Sequence, residues 1–154
     1  MTVRVQTEDF DAGAEIAALR RGNPRIGAVA GFVGIVRDAN DGGKVQDMTL
    51  EHYPGMTEKQ LAAIEAEARR RWPLEASLII HRYGRLEPGD RIVLVATGST
   101  HRAAAIESCT FLIDWLKTKA PFWKLEETAA GGRWVEAKDS DDSAAQRWRV
   151  EKRG

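Results

Sequence analysis

Apolar and polar residues alternate regularly over residues 45–53, and this alternation predicts a β-strand. Met48, Leu50 and His52 fall on one face of that strand, and Thr49, Glu51 and Tyr53 fall on the other. Other short runs rich in β-branched residues also have the composition of strands. These further strands are predicted at residues 3–5, 26–37, 77–83, 91–97 and 133–137.

Glycine and proline divide these strands. Gly31 and Gly34 lie inside the predicted strand 26–37, where they indicate a bulge or a close backbone contact. Residues 39–43 (ANDGG) are polar and glycine-rich, which predicts a mobile loop. Residues 87–90 (EPGD) predict a turn between two strands.

The first and last predicted helices are marked by the residues at their ends. Residues 11–21 are expected to form a short helix with Asp11 as its N-cap and Gly22 after its end. Ser140 is expected to begin a C-terminal helix.

The two middle helices are predicted from their start signals and their apolar stripes. Thr57 and Gln60 have the spacing of a capping box, and the helix they begin ends before Pro73. Its buried stripe is predicted to be Leu61, Ile64 and Ala68. The next helix spans residues 99–118 and is capped by Ser99 or Thr100. Its buried stripe is predicted to be Ile106, Cys109, Ile113 and Leu116.

The resulting order, β-α-β-β-α-β-β-α-β-α, is an α+β pattern with hairpins rather than a regular βαβ alternation. No repeat, linker or low-complexity tract divides the sequence. Residues 1–154 are therefore expected to form one domain.

The overall charge and the cysteine count exclude several classes of protein. Lys and Arg total 23 and Asp and Glu total 23, so no net field attracts the chain to nucleic acid or to an anionic membrane. The sequence shows neither a secretory signal nor the ~20 consecutive apolar residues of a membrane span. Cys109 is the single cysteine, which excludes an internal disulfide and a multi-cysteine metal site. We expect a cytoplasmic protein without a metal or cofactor.

The remaining histidines and the cysteine are interpreted as structural. His52 and His81 lie in predicted strands, and their spacing is not that of metal ligands. Cys109 belongs to a predicted core stripe, whereas a reactive thiol needs an electropositive, partly exposed setting.

Cationic side chains gather around the helix at residues 99–118. His101 and Arg102 fall in its predicted first turn, where unpaired N–H groups and the helix dipole favour an anion. A bound phosphate or carboxylate explains an arginine at this place, since arginine binds such groups through two parallel hydrogen bonds. The alternative is a surface ion pair for Arg102 and a packing role for His101.

Two lysines lie near the end of the same helix. Lys117 follows Ile106 by 11 positions, which at about 100° per residue places it within roughly 20° of the predicted buried stripe. Burial makes the amine of a lysine a better base or nucleophile, and the alternative is an ammonium group that reaches water along its stem. Pro121 ends the helix, so Lys124 follows in an extended segment that can return toward Lys117. Two nearby ammonium groups favour an anion between them.

Six segments carry a resemblance to a known family. They are GFVGIVRD (31–38), LEHYPGM (50–56), HRYGRLEPGD (81–90), STHRAAAIESC (99–109), LKTKAPFWKLE (116–126) and RWVEA (133–137). Together they resemble the catalytic (large) subunit of molybdopterin synthase, in order and over essentially the whole chain. The segment 116–126 is the most specific of the six when it is combined with the upstream His-Arg pair and the Val-Arg strand end.

The resemblance implies an α+β fold, with an α/β-hammerhead core and a smaller antiparallel β subdomain. It also implies a homodimer in which each large subunit binds one small ubiquitin-like subunit, giving a heterotetramer. The small subunit ends in Gly-Gly and carries a thiocarboxylate there. Two sulfur transfers from such tails convert cyclic pyranopterin monophosphate into molybdopterin, whose dithiolene receives its metal later from other proteins. The implied activity is that of a sulfurtransferase in molybdenum cofactor biosynthesis.

The resemblance assigns roles to individual residues. Lys117 corresponds to the family lysine at the thiocarboxylate, and Lys124 corresponds to the second active-site lysine. The positions that bind the pterin phosphate are Arg37, His101 and Arg102. The positions that flank the pocket are Ile35, Val36, Leu125 and Glu126. Two residues that complete the pocket of the neighbouring subunit are Lys138 and Arg133. Thr100 stands where relatives often carry alanine, and this departure leaves the His-Arg pair intact.

A second hypothesis is a non-catalytic docking module. Such a module would hold a ubiquitin-like tail or a phosphorylated ligand, and its lysines would do no chemistry. The lysine pair favours the enzyme, and a turnover assay with a thiocarboxylated partner separates the two hypotheses. Binding to nucleic acid is disfavoured because the net charge is zero and no basic stripe is present.

Overall fold

The structure is a computed structural model, and it describes the backbone of residues 2–40, 43–119, 122–128, 131–135 and 146–149. Side chains are described for residues 2–38, 47–118 and 146–149. The helices within these ranges are Ala12–Arg20 (α1), Met56–Arg71 (α2) and Arg102–Lys119 (α3). The strands are Thr2–Gln6 (β1), Ala28–Ile35 (β2), Ala39–Asn40 (β3), Gly43–His52 (β4), Leu74–Arg82 (β5), Gly84–Leu86 (β6), Arg91–Ser99 (β7), Phe122–Thr128 (β8) and Gly131–Val135 (β9).

These strands form two sheets. The first has the order β1-β5-β7-β2, in which β1 is parallel to β5 and the other neighbours are antiparallel. The second has the order β3-β4-β8-β9, and the short strand β6 pairs with β4. All of its pairings are antiparallel. The predicted α+β class with a smaller antiparallel β element is confirmed.

The two central strands of the first sheet, β5 and β7, are buried on both faces because helices cover both sides. On one face, α1 covers a cluster formed by Phe10, Leu78, Ile80, Leu94 and Ala96. On the other face, α2 and α3 pack over alternate residues of the same strands, among them Ile79, Val93 and Val95. A third cluster joins the two sheets and consists of Val36, Met48, Leu50 and Leu86. Met48 and Leu50, which the alternation placed on one face of β4, are both buried.

The start of α2 differs from the predicted capping box. Gly55, at φ +82°, takes the N-cap position, and its N–H donates to Glu58 Oε2 at 2.5 Å. The N–H of Tyr53 donates to the Thr57 hydroxyl at 3.0 Å. The prediction that Thr57 and Gln60 form the capping box is therefore wrong. The helix begins one residue before Thr57, so this side chain lies in the first turn and is buried.

The buried stripe of α3 was predicted incorrectly at its first member. Ile106 is 58% exposed, whereas the neighbouring Ala105 is buried. The Thr97 hydroxyl donates to the Ala105 carbonyl at 2.7 Å, and Cys109 Sγ lies 3.8 Å from the carbonyl oxygen of Val95. The small side chain of alanine allows this close approach to β7, so Ile106 turns toward solvent. These two contacts also show that α3 runs antiparallel to β7. The later members of the stripe do pack in the core: Cys109, Ile113 and Leu116.

Two further predictions concern segments near the edges of the second sheet. Residues 39–43 were expected to be a loop, but Ala39↔Lys44 and Asn40↔Gly43 pair as a hairpin whose residues 41–42 lie outside the described ranges. The predicted bulge in β2 is confirmed at Gly34, where its register against β7 shifts. The predicted helix start at Ser140 lies outside the described residues.

Candidate active site

The first candidate group lies where β7 passes into α3. The Ser99 hydroxyl donates to the carbonyl of Pro73, so Ser99 does not cap the helix as predicted. Arg102 is the first helical residue, and the carbonyl of His101 accepts the first intrahelical bond from Ala105. Both side chains of the His-Arg pair are exposed. The pair is thus presented to solvent at the positive end of a long helix.

A glycine fixes the position of this helix start. The N–H of Gly27 donates to the carbonyl of Ser99 at 3.0 Å. A Cβ atom added at Gly27 would lie 2.3 Å from the carbonyl oxygen of Thr100. Gly27, immediately before β2, therefore packs directly against the backbone that leads into His101 and Arg102.

We expect Gly27→Ala to lower the free energy of unfolding by about 1–3 kcal/mol, because the backbone of Thr100 has to move to make room. Gly13→Ala is the matched control. Its added Cβ would meet Asp11 Oδ1 at an ordinary 3.5 Å on helix α1, so stability is expected to be unchanged or slightly raised. Urea unfolding of both variants measures the difference. A Gly27→Ala protein as stable as the parent would show that this contact does not constrain the helix start.

The second candidate group lies at the other end of α3. Leu116 is buried, and Lys117 after it is exposed. Ile106 and Lys117 lie on the same face of the helix, as predicted. That face is exposed to solvent, however, and does not belong to the core. Of the two alternatives for Lys117, burial is therefore wrong, because the residue lies at the surface.

The length of α3 separates these two groups within one copy of the chain. Arg102 and Lys117 are 15 residues apart, which is about 22 Å along a helix axis. Since both β2 and α3 run antiparallel to β7, the end of β2 with Arg37 lies at the Lys117 end of α3. His101 and Arg102 lie at the opposite end.

The strand end that carries Arg37 is anchored to a turn. The N–H of Val36 donates to the carbonyl of Asp90 at 2.9 Å, and the N–H of Gly89 donates to the carbonyl of Val36 at 2.8 Å. Val36 is buried, whereas Ile35 and Arg37 on either side of it are exposed. The predicted turn at residues 87–90 is confirmed, and it holds Arg37 at the surface.

The strand β8 places the second lysine by its register. The extended segment predicted after Pro121 is confirmed, because Phe122–Thr128 forms β8. Lys124 is opposite Leu50 of β4, and Leu50 is opposite Gly84 of β6. The next residues are paired as Leu125↔Thr49, Glu126↔Met48 and Glu126↔Arg133. Lys138 lies outside the described residues.

Two histidines lie at the same end of the molecule as Lys117, and the sequence interpretation did not include them in the site. His81 is buried, and its Nδ1 lies 2.8 Å from the carbonyl oxygen of Arg82. Since a carbonyl only accepts, Nδ1 carries the proton. The pKa of His81 is lowered to about 4, mainly by burial. The bond to the Arg82 carbonyl opposes this shift, whereas Lys117 and His52 act in the same direction as burial. His81 is therefore a neutral imidazole at physiological pH.

His52 belongs to the second sheet and lies near His81 at the end of β4. Its ring lies 4.0 Å from the ring of Tyr83, centroid to centroid, and its Nε2 lies 3.7 Å from Glu58 Oε1. In the register of β4 and β8, His52 is opposite Phe122. The chain thus brings the end of β5, the end of β4 and the start of β8 together beside the end of α3.

Salt bridges hold the loop between β1 and α1 against this same end of the first sheet. Asp9 accepts two hydrogen bonds from the Arg91 guanidinium, at 3.0 and 2.6 Å. These bonds, with one from the Phe10 N–H, lower the pKa of Asp9 to about 2. Arg82 donates to the carbonyls of Thr7 and Arg91 at 3.1 and 2.9 Å.

The single cysteine is not part of the site. Cys109 is buried in the core between α3 and β7, and burial raises its pKa to about 11. The thiol is therefore protonated and enclosed, as the sequence predicted. Within the described part of the chain, no three His, Cys, Asp or Glu side chains are grouped so that they could hold a metal ion. No helix among the described residues is long and apolar enough to span a membrane.

Comparison with known proteins identifies the family. The model of the MoaE protein family matches residues 5–119. The chain belongs to the MoaE protein family. The molybdopterin synthase catalytic subunit of Pseudomonas aeruginosa is 60% identical over 148 residues, which cover 96% of this chain and 99% of the relative. The molybdopterin synthase catalytic subunit of Escherichia coli K12 is 58% identical, with 94% and 95% of the two chains covered.

Solved structures of MoaE proteins have the same fold. The molybdopterin biosynthesis MoaE protein from Burkholderia ambifaria superposes with a TM-score of 0.83 at 59% identity, covering 97% of this chain and 99% of the other. The molybdopterin synthase structure from Staphylococcus aureus gives a TM-score of 0.79 at 32% identity, covering 86% and 95%. The resemblance to molybdopterin synthase catalytic subunits is thus confirmed, as is the fold class it implied.

Proposed function

We propose that this MoaE chain transfers sulfur from the C-terminal thiocarboxylate of a small ubiquitin-like subunit to cyclic pyranopterin monophosphate, forming molybdopterin. The observation that carries the proposal is identity of about 60% over nearly the whole chain to relatives named molybdopterin synthase catalytic subunit. We further propose that the reaction takes place in the cytoplasm.

The chemistry of the chain supports a sulfur donor outside it. Cys109 is enclosed and protonated, so it is not the carrier of a transferable sulfur. At one carbon of the pterin side chain, the sulfur of the partner's thiocarboxylate displaces an ester oxygen of the cyclic phosphate, which opens to a phosphate monoester. At the neighbouring carbon, the sulfur of a second tail replaces the ketone oxygen, which leaves as water while the double bond between the two carbons forms. Water cleaves each acyl–sulfur bond, so that each tail ends in a carboxylate and the two sulfurs stay on the pterin as the dithiolene.

Two lysines serve this reaction in the proposal. The exposed ammonium group of Lys117 orients the thiocarboxylate and stabilises the negative charge that develops during the transfer. Lys124, on β8, anchors the substrate and assists proton transfer. The walls around them are contributed by Leu125 and Glu126 of β8, by Ile35 at the end of β2 and by Val36 after it.

The phosphate of the substrate requires cations from a second copy of the chain. Arg37 lies at the Lys117 end of α3, but His101 and Arg102 of the same copy are about 22 Å away along the helix. A substrate of one pterin and one cyclic phosphate does not span that length. We therefore place His101 and Arg102 of one subunit beside Lys117 of the other in a homodimer. By the family resemblance, Arg133 and Lys138 are assigned to the neighbouring pocket as well. Each large subunit binds one small subunit, giving a heterotetramer.

A turnover assay tests the proposed reaction. The purified chain is mixed with cyclic pyranopterin monophosphate and a small subunit that ends in either a thiocarboxylate or an ordinary carboxylate. We expect molybdopterin with the thiocarboxylated partner alone. Binding of the thiocarboxylated partner without any product would instead support the non-catalytic docking module.

A further inference from the structure

We propose that His81 is a positioning residue for Lys117, whose ammonium group its neutral imidazole directs toward the reaction centre. This inference rests on the proposed function, because it takes Lys117 to be the lysine of the sulfur transfer. His81 was at first interpreted as a structural residue of β5. Its surroundings connect it to the lysine.

The fold brings His81 and Lys117 to one place. β5 and α3 both run antiparallel to β7, so the last residues of β5 lie at the C-terminal end of α3. His81 follows Ile79 by two residues in β5, so its buried side chain lies on the face of the sheet that α2 and α3 cover. Lys117 lowers the pKa of His81, in agreement with this placement. His52, at the end of β4, also lowers the pKa of His81. Its ring contacts the ring of Tyr83, which follows His81 by two residues, at a tilt of 40°.

The orientation of the ring is fixed by a backbone bond. Nδ1–H donates to the Arg82 carbonyl at 2.8 Å, which leaves Nε2 as the unprotonated nitrogen of the ring. Arg82 is itself held, because its guanidinium donates to the carbonyls of Thr7 and Arg91. The lone pair of Nε2 therefore has a fixed direction, so this nitrogen can accept a hydrogen bond from a neighbouring donor.

A neutral acceptor suits a lysine that must bind an anion. A carboxylate beside Lys117 would form an ion pair and cancel the charge that the thiocarboxylate needs. A neutral imidazole accepts a hydrogen bond from the ammonium group and leaves its charge intact. Burial keeps His81 neutral through the physiological range, so the ring does not repel the lysine.

An NMR experiment tests the contact without requiring turnover. The imidazole nitrogens of ¹⁵N-histidine-labelled protein are followed through a pH titration in the parent and in Lys117→Met. Because the charge of Lys117 lowers the pKa of His81, we expect this variant to raise it and to shift the Nε2 resonance. The Nδ1 resonance should keep the value of a protonated nitrogen. An Nε2 resonance and a pKa that are the same in both proteins would overturn the proposal.

A pair of substitutions tests the positioning role in the complete synthase with a thiocarboxylated small subunit. In His81→Asn the amide nitrogen takes the place of Nδ1 and keeps the bond to Arg82. In His81→Gln the longer amide reaches the place of Nε2. We expect kcat of His81→Gln to exceed that of His81→Asn about tenfold, with similar KM and similar melting temperatures, because a hydrogen bond to a charged group is lost only in the latter.

The two experiments separate the two proposals. A kcat ratio near one, whether both variants are active or both are inactive, assigns His81 a merely structural role and overturns the inference while the sulfur transfer stands. A parent protein that forms no product overturns the proposed function, and the NMR titration then still decides whether His81 and Lys117 are in contact.

Discussion

Replacement of Lys117 by alanine is expected to reduce the formation of molybdopterin at least about a hundredfold. The loss of one preorganised charge-stabilising group typically costs a factor of this size. The side chain is exposed and makes no part of the buried cluster under α3, so the fold should be unaffected. Assembly with the small subunit should also be retained. Product formation is measured under single-turnover conditions, and assembly by size-exclusion chromatography.

Lys59→Ala is the matched control for Lys117→Ala. Lys59 is also an exposed helical lysine, but it lies on α2. Its removal changes the net charge equally and should leave turnover at the parent level. Near-parental turnover in Lys117→Ala would remove this lysine from the mechanism. An equal loss in both variants would indicate a general effect of charge rather than a role of Lys117.

The second large effect is a loss of stability in mild acid that originates from His81. The pKa of His81 is about 4 in the folded chain and 6.5 in the unfolded chain. Between these two pH values the unfolded chain binds a proton at His81 and the folded chain does not. The contribution of His81 to the free energy of unfolding is therefore complete above pH 6.5, and it decreases as the pH is lowered toward 4. The total loss is about 3 kcal/mol, of which about 2 kcal/mol falls between pH 7 and pH 5.

Urea unfolding at pH 7 and pH 5, at one protein concentration, measures this loss. His81→Gln does not titrate, so its stability should change much less over the same interval. Asp9 titrates at lower pH, because Arg91 lowers its pKa to about 2, and its contribution is lost only below the interval. Equal pH dependence in the parent and in His81→Gln would show that His81 is not the group responsible.

Much of the fold could be predicted from local patterns. The alternation of β4, the cap of α1 at Asp11 and the turn at residues 87–90 are each set by neighbouring residues, and each is observed. The face of α3 could not be predicted in this way. Apolar residues occur on several sides of this helix, and the close approach of Ala105 to Thr97 decides which side is buried.

The site was less accessible to prediction than the fold. The motifs indicated Lys117, Lys124, Arg37 and the His-Arg pair, and the predicted helix already set Arg102 and Lys117 about 22 Å apart. Only the strand directions showed that Arg37 lies at the Lys117 end of α3. His81 gave no signal in the sequence, because a histidine in an apolar strand usually packs without further function. Its relation to Lys117 arises only when β5 and α3 both pack antiparallel to β7.

The measurement that tests the account most directly uses a mixed dimer. Lys117→Ala and Arg102→Ala chains with different affinity tags are co-expressed, and the dimer that contains one of each is purified and assembled with thiocarboxylated small subunits. If each pocket combines Lys117 of one subunit with Arg102 of the other, one of its two pockets is intact. We predict that the mixed dimer has about half the turnover of the unsubstituted protein. The dimers that contain only Lys117→Ala or only Arg102→Ala chains should have almost none. A mixed dimer as inactive as the single variants would contradict a pocket shared between subunits.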